Sequence, residues 1–160
     1  MTTSSKNPGV CRLRSRQRGV ALVEFVVTAP FLLLLLLGSA EIGRAFIQYA
    51  TLTYAVRDAT RFVTTNAING TTGVVQLTTT TITQAKNLVV YGSVGGSGRA
   101  RLPSLQPSQV DVADVGGSNI RVTATYPYQP MLGPVLPGFT RTPISLGFNM
   151  VVAVTMRAIS

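Results

Sequence analysis

The chain has 160 residues, with 14 Lys or Arg against 5 Asp or Glu, no His, and a formal net charge of +9. The single cysteine, Cys11, excludes an internal disulfide and a Cys-based metal site. With no histidine and only Glu24, Glu41, Asp58, Asp111 and Asp114 as carboxylates, most routes to acid/base, nucleophilic or zinc chemistry are closed, so neither a catalytic site nor a cofactor or metal site is expected.

The charge is unevenly placed. Lys6, Arg12, Arg14, Arg16 and Arg18 precede Val20 with no acidic residue among them, so residues 1–19 read as a short basic leader. Arg99, Arg101, Arg121, Arg141 and Arg157 are scattered rather than gathered in a stripe, and no nucleic-acid partner is expected.

From Val20 to Ala40 the only charged residue is Glu24, and Phe31 is followed by six leucines. About 21 residues make a helix of roughly 30 Å, enough to cross the hydrocarbon core of a membrane. The arginines before it predict a cytoplasmic N-terminus, with everything after Ala40 outside. A charge at the centre of a bilayer costs roughly 2.5–3.5 kcal/mol, so Glu24 needs a reason. Pro30 cannot donate to the carbonyl of Val26, which predicts a kink or local melting there. Gly38-Ser39-Ala40 also offers small residues suited to signal-peptide cleavage after Ala40, although the apolar run exceeds the usual 7–15 residues of a signal core.

The helical pattern continues over residues 41–65. Ile42, Phe46, Tyr49, Leu52 or Thr53, Val56, Ala59 and Val63 recur at steps of three and four, predicting one apolar face packed on the protein's own domain. Arg44, Gln48, Arg57, Asp58 and Arg61 largely avoid that face. Glu41 with Arg44, and Asp58 with Arg61, are opposite charges three apart that suit either pairing on the helix surface or contacts between subunits. As one element, Val20 to Thr65 would be a helix of about 70 Å.

Residues 66–109 read as a loop region with a short helix near 81–91. Asn69-Gly70-Thr71 matches a glycosylation acceptor. Thr81 is expected to cap the short helix, with Ile82, Ala85, Leu88 and Val89 on one face. Gly92 to Ser108 lacks the lysine and spacing of a phosphate-binding loop and reads as a flexible connection.

Strand signals dominate residues 110–160. Val110 and Val112 alternate with Asp111 and Ala113, Gly116-Gly117-Ser118-Asn119 is turn material, and Ile120, Val122, Ala124 and Tyr126 form the apolar side of a second strand. A proline-rich loop is expected over 127–143. The last strand is expected to run from Ile144 to Arg157, with Ile144, Leu146, Phe148, Met150, Val152, Val154 and Met156 on one face. The expected fold is α+β: a long N-terminal helix with a small antiparallel sheet packed on its outer half.

A glycine closing a basic leader, followed by an apolar helix with glutamate as its fifth residue, resembles the processing site of type IV pilins. The wider stretch "RGVALVEFVVTAPFLLLLLLGSAEIGRAFIQYATLTYAVRDATRF" resembles the TadE-like minor pilins or pseudopilins of the tight-adherence (Flp) pilus system. The matching residues are Glu24-Phe25, Pro30, the leucine run, Gly38, Glu41 with Gly43-Arg44, and Ala55, Arg57, Asp58, Ala59 and Arg61; "YPYQP" and "VAVTMRA" extend the likeness towards the C-terminus. At Asp58-Ala59 many members carry Glu-Gly or a similar pair.

The resemblance implies cleavage between Gly19 and Val20 by a prepilin peptidase and a non-catalytic role in assembling a pilus for surface adherence. The carboxylate of Glu24 would then neutralise the new amine of Val20, within or between chains. Implied partners are the peptidase, other minor pilins, the major Flp pilin, the inner-membrane platform protein and membrane lipid, with the chain resident in a bacterial inner membrane or a pilus. A permanently anchored surface protein and a secreted binding domain released after Ala40 are the alternatives.

Overall fold

The computed structural model describes residues 16–67, 75–131, 133, 135–136 and 144–158. Most of the basic leader, the Asn69 motif and much of the proline-rich loop lie outside the described residues. The chain divides into two compact units, Met1–Ala40 and Glu41–Ser160.

A single helix, α1, spans Arg16–Asn66. It begins before Val20 because Arg and Gln are good helix formers and nothing in Arg-Gln-Arg resists the helix. Pro30 lies inside it, with helix on both sides rather than a melted turn. In the first unit α1 carries an 18-residue window of mean hydropathy 2.6, none of it buried. The hydroxyls in this apolar stretch are satisfied locally: Thr28 Oγ1 donates to the carbonyls of Glu24 and Phe25 at 2.9 and 3.2 Å, and Ser39 Oγ donates to that of Leu36 at 2.8 Å. Such back-bonding removes the cost of a bare hydroxyl in an apolar medium.

In the second unit the same helix meets a three-stranded antiparallel sheet. The strands are β1 (Val110–Gly116), β2 (Asn119–Pro127) and β5 (Asn149–Arg157), in the order β1-β2-β5. Leu52, Ala55, Val56, Ala59 and Val63 of α1 share one buried cluster with Val110, Val112, Ile120, Val122, Ala124, Tyr126, Met150 and Val152. The alternation seen in the sequence is therefore the inward side of β2, which pairs with β5 along its whole length and with β1 from Asn119 to Ala124. Gly117 and Ser118 both adopt positive φ, at 61°, and close the β1–β2 hairpin with a turn whose twist matches the strands.

The second helix, α2 (Thr79–Tyr91), packs Ala85, Val89 and Val90 into the same cluster. Its cap is Thr78 rather than Thr81. Thr78 Oγ1 accepts from the Thr81 N–H at 3.2 Å, and the two hydroxyls lie 2.8 Å apart, so Thr81 is buried in the first turn instead of opening the helix. Gly92 ends α2 in the left-handed region at φ 73°, its N–H donating to the Leu88 carbonyl. The left-handed backbone is what asks for glycine there, since a Cβ would meet only the end of the flexible Arg101 side chain.

The last strand is shorter than its sequence pattern. Ile144–Ser145 forms β4, which pairs with β3 (Val135–Leu136) in a separate two-stranded sheet, and β5 starts only at Asn149. Gly147 interrupts the run, and a strand-interior glycine weakens pairing. The proline-rich segment is thus not wholly irregular, because it contains β3.

Candidate functional site

The two glutamates of α1 meet opposite environments. Glu24 is exposed, flanked by exposed Val20, Val23 and Phe25, and among the described side chains none engages its carboxylate. Glu41, only 8% exposed, is held from two sides. Tyr128 donates its hydroxyl to Glu41 Oε1 in a short hydrogen bond, and the Met131 N–H donates to the same oxygen at 3.2 Å. The Tyr128 hydroxyl also lies 3.3 Å from the Glu41 carbonyl. Burial, the bond to Glu41 and that residue's charge push the Tyr128 phenol up to about 12, while the Arg44 charge pulls the other way. Burial likewise raises Tyr126, again opposed by Arg44.

These contacts form a clasp between α1 and the segment that follows β2. Tyr128 is fixed further by its N–H, which donates to the Phe148 carbonyl at 2.9 Å, and by its ring, whose centroid lies 5.1 Å from that of Phe148. Glu41 therefore engages Tyr128 and Met131 rather than pairing on the helix surface with Arg44. Arg44 Nη1 and Gln48 Oε1 are buried without a hydrogen-bond partner among the described residues.

Beside the clasp, Ile42, Ala45, Phe46, Tyr49, Phe148 and Met150 line an open apolar groove of about 290 Å³. The sequence pattern places Ile42, Phe46 and Tyr49 on the packed face of the helix; the fold leaves them exposed. The buried face runs back from Leu52 through Gln48 to Glu41, so the helix turns an adjacent polar stripe inward. The clasp holds Glu41 in that stripe, and Ala45 beside it packs against the apolar cluster.

The remaining sequence candidates are spread along α1. Asp58 meets Arg101 across 3.4 Å, tying the helix to the segment after α2, while Arg57 and Arg61 are exposed. A Cβ added to Gly19 would meet nothing within 4 Å. Tyr128 falls within the "YPYQP" stretch, though no role follows from it there, and Met131 lies just beyond. The even-numbered alternation of β2, carried on from Tyr126, is the signal that marks Tyr128 as inward; nothing in the sequence marks a backbone N–H at Met131.

The family model described as TadE-like protein matches residues 19–61, which covers most of α1 and includes Gly19, Glu24, Pro30, Glu41 and Asp58. Neither the curated proteins nor the solved structures contain a match.

Proposed function

We propose that this chain, TadE-like over residues 19–61, is a non-catalytic subunit of a tight-adherence pilus, inserted with its N-terminus in the cytoplasm and cleaved between Gly19 and Val20 by a prepilin peptidase. The family match supports the association with such a pilus, and the apolar helix supports the membrane anchor. The observation that carries the finer reading is Glu24, a carboxylate that no described side chain engages, in a helix apolar enough to enter a membrane. After cleavage the α-amino group of Val20 supplies the missing positive charge. Two unit charges 4 Å apart attract by about 4 kcal/mol at an effective dielectric near 20, comparable to the insertion penalty before desolvation is counted. Pairing between chains would fix the register in which helices join.

Gly19 supports the same reading. Glycine in a helix costs about 1 kcal/mol relative to alanine, and no described residue crowds the position. A peptidase that must approach the backbone gives glycine a purpose. Phe25 and the leucine run would supply the apolar contact between assembled helices, Pro30 a point of bending, and Arg57 and Arg61 exposed charges for neighbouring subunits.

N-terminal sequencing of the protein from its native membrane tests the processing step. A first residue of Val20 supports it; Met1 indicates a permanent anchor, and Glu41 a secreted domain, which would overturn the pilus reading. Glu24→Ala tests assembly separately: processing and insertion should persist while entry into fibres is lost. Normal incorporation of the variant would remove the charge-pairing mechanism.

A further inference from the structure

Several exposed apolar side chains of the second unit lie beside the Glu41 clasp. Ile42, Phe46 and Tyr49 come from α1, Met131 from the segment whose N–H binds Glu41, and Phe148 from just before the last strand. Phe46 and Met131 are 70% and 76% exposed and Phe148 is 52% exposed. Soluble proteins do not leave such patches to water without a partner.

We infer that this patch, centred on the groove between Phe46 and Phe148, rests on the lipid surface from which the chain emerges. Three observations favour lipid as the occupant. Ile42 follows Ala40, the last residue of the apolar run, by two positions in the sequence, so the α1 part of the patch begins next to a stretch apolar enough to enter lipid. The patch mixes aromatic and aliphatic side chains, as do segments that settle among headgroups and upper acyl chains. The neighbouring carboxylate, Glu41, is turned inward and bound, so the patch offers no free acid to an anionic bilayer, and residues 41–160 carry nine basic against four acidic side chains. The clasp acquires a second role here: by holding Tyr128 it seats Phe148, and with it one wall of the groove.

This inference rests on the membrane anchor and is independent of pilus assembly, since it concerns the chain before any neighbour joins. The protein contains no tryptophan, so single substitutions give an unmixed fluorescence signal. The full chain is reconstituted in vesicles of phosphatidylethanolamine and phosphatidylglycerol, with and without brominated acyl chains, as Phe46→Trp, Phe148→Trp or Val115→Trp. Val115 is exposed on β1, outside the groove, and serves as the reference.

Quenching several-fold stronger at positions 46 and 148 than at 115 is expected. Quenching no stronger at 148 than at 115 overturns the inference, even if position 46 is quenched, because proximity of the helix alone would explain the latter. Blue-shifted emission that resists bromine and grows with the protein-to-lipid ratio also overturns it, by assigning the groove to a second copy. Phe46→Trp alters an exposed helix position and leaves the core untouched, so a null result there cannot be ascribed to misfolding.

Discussion

The two stretches of α1 are built from similar residues and put to opposite uses. Between Val20 and Leu37 nearly every large apolar side chain is exposed, whereas between Leu52 and Val63 one face is sealed. The first stretch is apolar on every side but for Glu24 and lies exposed among the described residues; the second is apolar on one side and meets its own sheet. Apolar content alone does not tell an anchor from a core helix. The width of the apolar stripe does.

The sharpest test of this contrast is truncation on each side. Leu52→Ala should destabilise the second unit by about 2–5 kcal/mol through lost burial and a cavity, whereas Leu33→Ala should leave its unfolding midpoint unchanged. Denaturant unfolding of the full chain in detergent, followed by near-ultraviolet circular dichroism of the tyrosines, measures both. Equal effects would mean that the first stretch also packs within the chain.

The next largest effect is expected at the clasp, where the helix changes from one use to the other. Glu41→Leu removes the acceptor shared by Tyr128 and Met131 and should cost about 1.5–3 kcal/mol, the range for hydrogen bonds to a charged group. Tyr128→Phe should cost less, and a double-mutant cycle should show coupling because the two side chains bond directly. A cycle summing to zero would make the clasp energetically idle.

The Tyr128 phenol adds a pH dependence. Its folded value is raised to about 12 from 10.0. The unfolded chain releases this proton first, so the contribution is complete below pH 10 and is lost as the pH rises through about 12. A fall in stability over that window, diminished in Tyr128→Phe, is the expected result.

The smallest effect is expected where α1 meets solvent. Asp58→Ala breaks the pair with Arg101, whose side chains are 59% and 30% exposed, and should change stability by about 0–1 kcal/mol and less at high salt. A larger loss would move this pair from the surface of the second unit into its supporting structure.

The sequence announced β2 well because its period of two is uninterrupted and both of its edges are paired: Ile120, Val122, Ala124 and Tyr126 are all buried. It was less informative for β5, where the alternation continues across Gly147 and joins two strands that pair with different partners. On α1, Ile42, Phe46 and Tyr49 merge with Leu52 and Val56 at helical spacing, and periodicity cannot show where the inward stripe changes. What decides it is the long-range bond of Glu41 to Tyr128, 87 residues away, which has no local trace. Asp58 illustrates the same limit: its partner Arg101 lies 43 residues on, whereas Arg61 is three away in the sequence.

The order of the sheet carries one more consequence, for the timing of folding. β2 pairs with β1 through a tight turn, but its other edge must wait for β5, since Pro127 opposes Asn149 and Asn119 opposes Arg157. As the chain emerges from the ribosome, the hairpin forms early, and closure of the sheet is a late event of high contact order. Until then the inward faces of α1 and β2 are open together. Synthesis interrupted before Asn149 therefore yields a chain that can enter a bilayer yet cannot close its outer core, and such a chain is an exposed target for proteolytic quality control.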